Sequence, residues 1–221
     1  MKKVTVIALC FFSIRLFGQV TTFTIDSSKF KTILLPVLDS IYQDDQQPRL
    51  LVMSLKAKGS DSVEFNQAVR AMKMKDSSNL VKVTGILNDY GWLGPQDVGF
   101  NGSQALFLVI QHADLQTQRR YLPMIQKAEK EGRTFSSNLA ILEDRIAMRE
   151  GRRQLYGSQG FRDKETGKNY IYPVVDPENL ESRRKAMGLT PMEQYVKGWN
   201  LDAYMKELPE IEKIAKRQNI H

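Results

Sequence analysis

One histidine dominates the chemistry that this sequence can support. The chain contains two histidines, His112 and the terminal His221. Because the ordinary pKa of imidazole lies close to neutral pH, acid or base catalysis would most simply use the internal histidine. Asp144 lies on a predicted helix beside small residues, so its carboxylate can point inward and orient the ring. His112 and Asp144 are therefore the candidate catalytic residues, with Arg145 or the backbone at 157–158 stabilising a developing anion.

The same part of the chain is rich in side chains that could bind a ligand without catalysis. Five of them combine donors and acceptors of hydrogen bonds: Gln111, Arg145, Gln154, Tyr156 and Gln159. The guanidinium of Arg145 can hold a carboxylate or phosphate with two hydrogen bonds. Each candidate also has a structural alternative, because buried polar groups usually bond within the core and an Asp-Arg pair can tie one element to the next. The residues around Gly157 could equally form the entry to a hairpin.

The sequence lacks the common cofactor and metal motifs. It has no glycine-rich phosphate loop, dinucleotide fingerprint or His-Glu-x-x-His helix, and the glycines around Ser158 lack the spacing of a nucleophile elbow. We therefore predict no cofactor and no metal site. With so few histidines, any metal would depend on carboxylates, which suit calcium or magnesium better than zinc.

Apolar residues recur at helical spacing through most of the chain. The first pattern covers residues 30–41, and the second covers 65–90, either as one long helix or as two helices interrupted at 76–78. Further on, residues 118–130 and 137–150 each form a helical pattern followed by glycine, which favours a helix end. These patterns predict antiparallel helices.

The candidate residues follow a glycine-rich segment. Its glycines and proline predict a loop over 91–102, and a helix that is apolar on every side then begins near Ser103. The polar residues 111–114 end this buried helix and need hydrogen-bond partners. A change to alternating residues predicts a β-hairpin over 154–175, with its turn near 163–168.

Two Xaa-Pro pairs follow the hairpin. Asp176-Pro177 and Thr190-Pro191 each place a capping residue before a first-turn proline, and each predicts the start of a C-terminal helix.

The first residues match a secretory signal peptide over 1–19, with a basic start, an apolar stretch over 4–17 and a small or polar edge. The apolar stretch is shorter than the roughly 20 residues of a membrane span and includes Arg15, which argues against a retained anchor. Lipid attachment at Cys10 would leave too short a leader. We expect cleavage, export to the periplasm or secretion, and a single cysteine-free domain over 20–221 without a stable membrane span.

The charge of the chain does not favour a nucleic-acid partner. The full chain has 32 basic and 25 acidic residues, and removing a leader with three basic residues lowers the net charge from +7 to +4. Acidic residues are interleaved with the basic ones, as in 127–133, which is typical of solvated helix faces. We therefore expect the partner to be a small molecule or a protein.

Several short motifs follow one another between Asp45 and Tyr195. They are Asp45-Gln46, Asp76 with Asn79, Tyr90-Gly91-Trp92, Gln111-His112-Ala113-Asp114, Tyr121-Leu122-Pro123, Asp144-Arg145, Gln154-Leu155-Tyr156-Gly157-Ser158-Gln159, Asp176-Pro177 and Arg183-Arg184. In these motifs and their order the chain resembles an uncharacterised bacterial family, domain of unknown function 6624. It departs from the family pattern at Leu93, where proline is usual, and at Ser158, where threonine is usual. The resemblance implies a shared fold and shared polar positions, but the family brings no established activity.

We predict a mainly α fold, a single domain of antiparallel helices with a small β-hairpin near 154–175. A polar cluster is expected to gather His112, Asp144, Arg145 and the turn over 154–159. The leading functional hypothesis is a noncatalytic module that binds a small ligand or a partner through this cluster. The alternative is a hydrolase or lyase with His112 as general base oriented by Asp144. A purely structural interaction domain is a third hypothesis, and the ligand and oligomeric state are left open.

Overall fold

The computed structural model describes residues 19–59 and 63–220. The predicted signal peptide over 1–19, with Arg15 and Cys10, lies outside these residues except for its last position, and His221 also lies outside them. The described part of the chain is mainly helical, with a small two-stranded antiparallel hairpin. This confirms the predicted fold class.

The first five α-helices build most of the molecule. They are α1 (Leu35–Ala57), α2 (Val63–Tyr90), α3 (Pro95–His112), α4 (Leu115–Lys130) and α5 (Ser136–Arg149). Two short 3₁₀ turns precede α1, at Ser27–Lys29 and Thr32–Leu34. Helix α2 is continuous, so the polar residues at 76–78 do not interrupt it.

The C-terminal part contains the hairpin and three further helices. Strands β1 (Gly160–Arg162) and β2 (Asn169–Ile171) pair in antiparallel register with Phe161 opposite Tyr170. A 3₁₀ turn at Pro177–Asn179 leads into the last three helices, which are α6 (Leu180–Ala186), α7 (Met192–Tyr195) and α8 (Leu201–Arg217). The two strands flank the predicted turn, and they are shorter than the predicted hairpin segment.

The loop predicted over 91–102 is wrong from residue 95 onward, because α3 begins at Pro95. Proline is favoured in the first turn of a helix, where its missing N–H costs no hydrogen bond. The Asp97 carboxylate also accepts a hydrogen bond from the Gly94 N–H at 2.8 Å and caps this start. Gly99, with φ of 72°, then kinks the helix. A positive φ favours glycine, so this glycine lies within a helix and does not mark a loop.

The buried apolar residues form two clusters. The larger one is formed by residues of all five helices from α1 to α5. It includes Leu38 and Ile41 of α1 with Leu106 and Ile110 of α3. The smaller one lies in the C-terminal part, where Leu180 and its neighbours pack against α8. Helix α1 packs against both α2 and α3. Polar residues in the middle of α1 are thereby placed beside the end of α3.

In the part of the chain that the structure describes, every helix is either too short or too polar to cross a membrane.

Candidate functional site

The ring of His112 is held by α1. Its Nδ1 lies 2.9 Å from Oδ1 of Asp45, whose side chain is 1% exposed. The Nε of Arg49 donates to the same Nδ1 at 3.0 Å. Asp45 and Arg49 are four residues apart, so they lie on one face of α1. Packing of that face against α3 fixes the orientation of the ring.

The two contacts at Nδ1 require opposite positions of the imidazole proton. A guanidinium N–H can only donate, so the bond from Arg49 requires a bare Nδ1 and places the proton of a neutral ring on Nε2. The bond to Asp45 requires Nδ1–H, which leaves Nε2 as the basic nitrogen. The site can therefore support both neutral tautomers of His112. In one tautomer Nε2 donates a hydrogen bond, and in the other it accepts one.

Arg49 links α1 to α2. Its Nη2 lies 2.8 Å from Oδ1 of Asp76 and 3.3 Å from Oδ1 of Asp45. Burial raises the pKa of the Asp45 carboxyl, but the hydrogen bond and charge of His112, with the charge of Arg49, outweigh burial and hold that pKa below its ordinary value. Asp45 is therefore ionised at neutral pH and favours the tautomer with Nδ1–H.

A cleft of about 310 Å³ opens beside this cluster. Its wall combines charged and apolar residues from α1, from α2 and from the end of α3 with the residues that follow it: Asp45, Lys73, Asp76, Ser77, Leu80, Val109, His112, Ala113 and Asp114. No residue within 19–59 and 63–220 bonds to Nε2 of His112, whose side chain is 19% exposed. The cleft thus contains an oriented imidazole with one nitrogen available for a ligand.

Within the two described ranges, no three His, Cys, Asp or Glu side chains come together in a way that could hold a metal ion. Between Asp45 and Asp76 the positive charge is supplied by the guanidinium of Arg49.

Asp144 holds the turn after α5 and, within the described residues, makes no hydrogen bond to His112. Its side chain is fully buried, and its carboxylate accepts hydrogen bonds from the backbone N–H groups of Leu155 at 2.7 Å, Tyr156 at 3.0 Å and Ser158 at 2.9 Å. Burial raises the pKa of the Asp144 carboxyl, although these donors act in the opposite direction. The expected pairing with His112 is absent from the described residues, because Asp144 is used by the turn and Asp45 occupies its predicted place.

The two glutamines of the turn bond to each other and to its backbone. Gln154 is fully buried; its Nε2 donates to the carbonyls of Gln159 at 2.9 Å and Tyr172 at 2.7 Å, and its Oε1 accepts from the Gln159 N–H at 2.8 Å. The Nε2 of Gln159 donates to Oγ of Ser158 at 3.0 Å. Hydrogen bonds within the protein therefore use both amide N–H groups and the oxygen of Gln154, and one amide N–H of Gln159.

Tyr156 is also held inside the protein. Its hydroxyl lies 3.4 Å from Oε2 of Glu143, and its carbonyl accepts a bond from the buried Arg184 at 2.6 Å. Burial, with the charges of Glu143 and Asp144, raises the pKa of Tyr156 to about 12. The phenol is therefore protonated at neutral pH and cannot serve as a base.

Gln111 and Arg145 are the two remaining residues of the predicted cluster. Gln111 precedes His112 and is buried, and its carbonyl accepts a bond from the Gln118 side chain at 2.6 Å. Burial lowers the pKa of the Arg145 guanidinium, the charges of Arg149 and Arg49 act in the same direction, and its Nε is buried without a hydrogen bond. In the described residues, the hydrogen bonds around His112 and those of the turn therefore form two networks with no hydrogen bond between them.

Three residues of the cluster had no assigned role in the sequence analysis. Asp45 and Asp76 belong to the motifs that carry the family resemblance, which was the available signal for them. Arg49 had one weaker signal, its spacing of four residues from Asp45 on a helix. Their association with His112 depends on packing between helices, which no local pattern reports.

The fold and the site together define a class of protein, a mainly helical protein with an ion-paired histidine cluster at the wall of a small cleft. Within this class, the chain belongs to the family of unknown function DUF6624, whose pattern matches residues 32–208. The matched range contains the whole His112 cluster and the turn over 154–159. No curated protein and no solved structure matches the chain.

Proposed function

We propose that this chain binds a small ligand in the cleft beside His112. The observation that carries the proposal is the state of the imidazole: Nδ1 is held by Asp45 and Arg49, whereas Nε2 has no partner within 19–59 and 63–220. A ring fixed in this way loses little conformational freedom when a ligand bonds to it, which favours affinity. Small-ligand sites typically combine apolar walls with a few oriented polar groups, as this cleft does.

NMR of the full chain with ¹³C-labelled histidine rings tests this proposal. Pools of small polar molecules are added, and we expect at least one pool to shift the ring signal of His112 until it saturates. The two histidines give two ring signals. The signal that is lost in His112→Gln belongs to His112, and the signal of His221 serves as the reference. If every pool leaves the His112 signal unchanged, or moves both signals equally, binding in this cleft is excluded for the molecules tested and the proposal fails.

A second candidate function is hydrolysis with His112 as general base. It is favoured by the carboxylate of Asp45 at Nδ1, because a carboxylate in that position selects the tautomer whose Nε2 can accept a proton. In this hypothesis Asp45 takes the orienting role that the sequence analysis gave to Asp144. Arg49 would limit the fraction of that tautomer, because it stabilises the other one.

Chromogenic carboxylic and phosphoric esters test the catalytic candidate. We expect turnover by the wild type and a loss of about 10² to 10⁴-fold in His112→Gln, the usual contribution of a general base. Glu143→Gln is the matched control, because Glu143 is a half-buried carboxylate that contacts Tyr156 in the turn. Turnover that survives His112→Gln would exclude this role.

We also propose that the chain is exported and that its leader is removed. The proposal rests on the signal pattern over 1–19 and is supported by Val20, whose backbone N–H donates to Oγ of Ser136 at 2.7 Å and whose carbonyl accepts from the Ser136 N–H at 3.1 Å. Cleavage after Gln19 would preserve both bonds. N-terminal sequencing of protein from the periplasmic or extracellular fraction is expected to begin at or next to Val20, and an intact Met1 there would exclude cleavage.

A further inference from the structure

The cleft beside His112 has an apolar part and a polar part. Leu80 and Val109 line it and also belong to the large apolar cluster, so this part of the wall continues the core. Lys73 lies seven residues before Leu80, which is roughly 10 Å along α2. The volume of about 310 Å³ is small for a ligand site. A ligand that fits this cleft is therefore small, with a polar group and a short apolar body.

The polar side chains of the wall offer mainly acceptors of hydrogen bonds. The Asp76 carboxylate accepts from Arg49 at 2.8 and 3.4 Å, and the Asp114 carboxylate accepts a backbone N–H at 2.7 Å. A carboxylate can accept further bonds beyond these. The hydroxyl of Ser77 donates its proton to the carbonyl of Lys73 at 3.1 Å. Apart from the imidazole, Lys73 is thus the only lining residue in the described ranges with a side-chain donor that has no partner.

The imidazole adds one more acceptor to this wall. If Nδ1 were bare, it would face the Asp45 carboxylate at 2.9 Å, and two acceptors would be in contact. The Asp45 side chain is 1% exposed, so water cannot relieve this contact. If Nδ1 carries the proton, Arg49 can move away from it, because its side chain reaches solvent and keeps its ion pair with Asp76. The proton is therefore favoured on Nδ1, and Nε2 presents a lone pair to the cleft.

We propose that the ligand donates a hydrogen bond to Nε2 of His112 from a hydroxyl or ammonium group, while its apolar body packs against Leu80 and Val109. The inference rests on the proposed function and names the class of ligand. An ionised carboxylate group of a ligand has no proton for Nε2, and it would approach the carboxylates of the wall, which repel it. The cleft is therefore expected to select small alcohols or amines over small acids.

Ring NMR of the full chain, with ¹³C- and ¹⁵N-labelled histidine, tests this selection with three probes of equal length: 1-propanol, 1-propylamine and propionate. They are added at constant pH and ionic strength. We expect propanol or propylamine to shift the His112 signals until they saturate, with roughly millimolar Kd because the probes are so small, and propionate to leave the signals unchanged. The donor probe with the lower Kd identifies the group as hydroxyl or ammonium. The ¹⁵N signal of Nε2 should be that of an unprotonated nitrogen in the bound state.

Two lysines of α2 provide matched variants. Lys73 lines the cleft, whereas Lys75 does not line it and is paired with Asp44 at 2.9 Å. Lys73→Met should leave the Kd of propanol unchanged and lower the Kd of propylamine by about 2- to 5-fold, because it removes a like charge. Lys75→Met should change either Kd by a smaller factor.

Three results would overturn the inference while binding in the cleft stands. They are a propionate shift as large as that of both donor probes, a bound ring with its proton on Nε2, and a higher Kd of the donor probes in Lys73→Met than in Lys75→Met. The last would show that the ammonium of Lys73 holds the ligand. If none of the three probes shifts the ring, the inference also fails. The proposed function then fails with it only if every pool of polar molecules leaves the His112 signal unchanged.

Discussion

The turn over 154–159 and the cluster around His112 are both polar and largely buried, but they differ in how their hydrogen bonds are balanced. In the turn, Asp144 accepts from three backbone N–H groups, and Gln154 uses both its amide N–H groups and its oxygen. In the cluster, Nδ1 of His112 has two competing contacts and Nε2 has none within the described ranges. Asp144 and Gln154 are thus satisfied without a ligand, whereas Nε2 of His112 is not.

This difference teaches that a high density of polar residues in a sequence does not identify a functional site. The turn has four polar side chains in six consecutive positions, Gln154, Tyr156, Ser158 and Gln159. Its side chains nevertheless serve the backbone, because a buried turn must satisfy its own N–H and C=O groups. Unused bonding capacity in the wall of a cleft, as at Nε2 of His112, is the better indication of a ligand.

The largest loss of stability is expected at Asp144, which tests the claim that the turn is a structural region. Asp144→Asn is expected to lower the free energy of unfolding by about 2–4 kcal/mol, because the new amide group would face the N–H of Ser158 and leave a buried donor unsatisfied. Urea denaturation measures this loss. Glu143→Gln is the control, since its acceptor contacts are longer, at 3.2 Å from Gln126 and 3.4 Å from Tyr156. An equal loss in both variants would contradict the special role of Asp144.

A smaller effect with a defined pH dependence is expected at Asp45. Its pKa in the folded protein lies below the ordinary value, so ionised Asp45 contributes stability that is complete above about pH 4 and is lost as the pH falls through the folded pKa. Asp45→Asn should therefore cost about 1–2 kcal/mol at pH 7. The difference from the wild type should shrink in urea denaturation below pH 4, and a difference that stays constant down to pH 2 would refute this linkage.

The smallest loss of stability is expected at His112, which tests the claim that the His112 cluster is not needed for folding. His112→Gln should change the free energy of unfolding by less than about 1 kcal/mol, because the ring is partly exposed and Asp45 keeps Arg49 as its partner. Thermal and urea unfolding check this. A loss as large as that of Asp144→Asn would make His112 a structural core residue and remove the basis of the proposed cleft.

The fold was largely predictable from the sequence, and the candidate site only in part. Helical spacing indicated the helices before and after the glycine-rich segment, and alternation with a polar turn indicated the hairpin. Glycine and proline together predict a loop over 91–102, but α3 begins at Pro95, which is a first-turn residue, and Gly99 only kinks the helix. His112 was identified by its chemistry, but Asp45 and Arg49 were not.

The sequence by itself determined what depends on neighbours along the chain: the helical periodicity, the turn of the hairpin, and the isolation of one internal histidine. Only the tertiary structure decided which carboxylate meets that histidine. Asp45 and His112 are 67 residues apart and become partners because α1 packs against α3. Asp144, much closer to His112 in sequence, is instead used by the buried N–H groups that follow α5. Long-range packing thus gives Asp45 to the site, and the need to satisfy buried donors gives Asp144 to the turn.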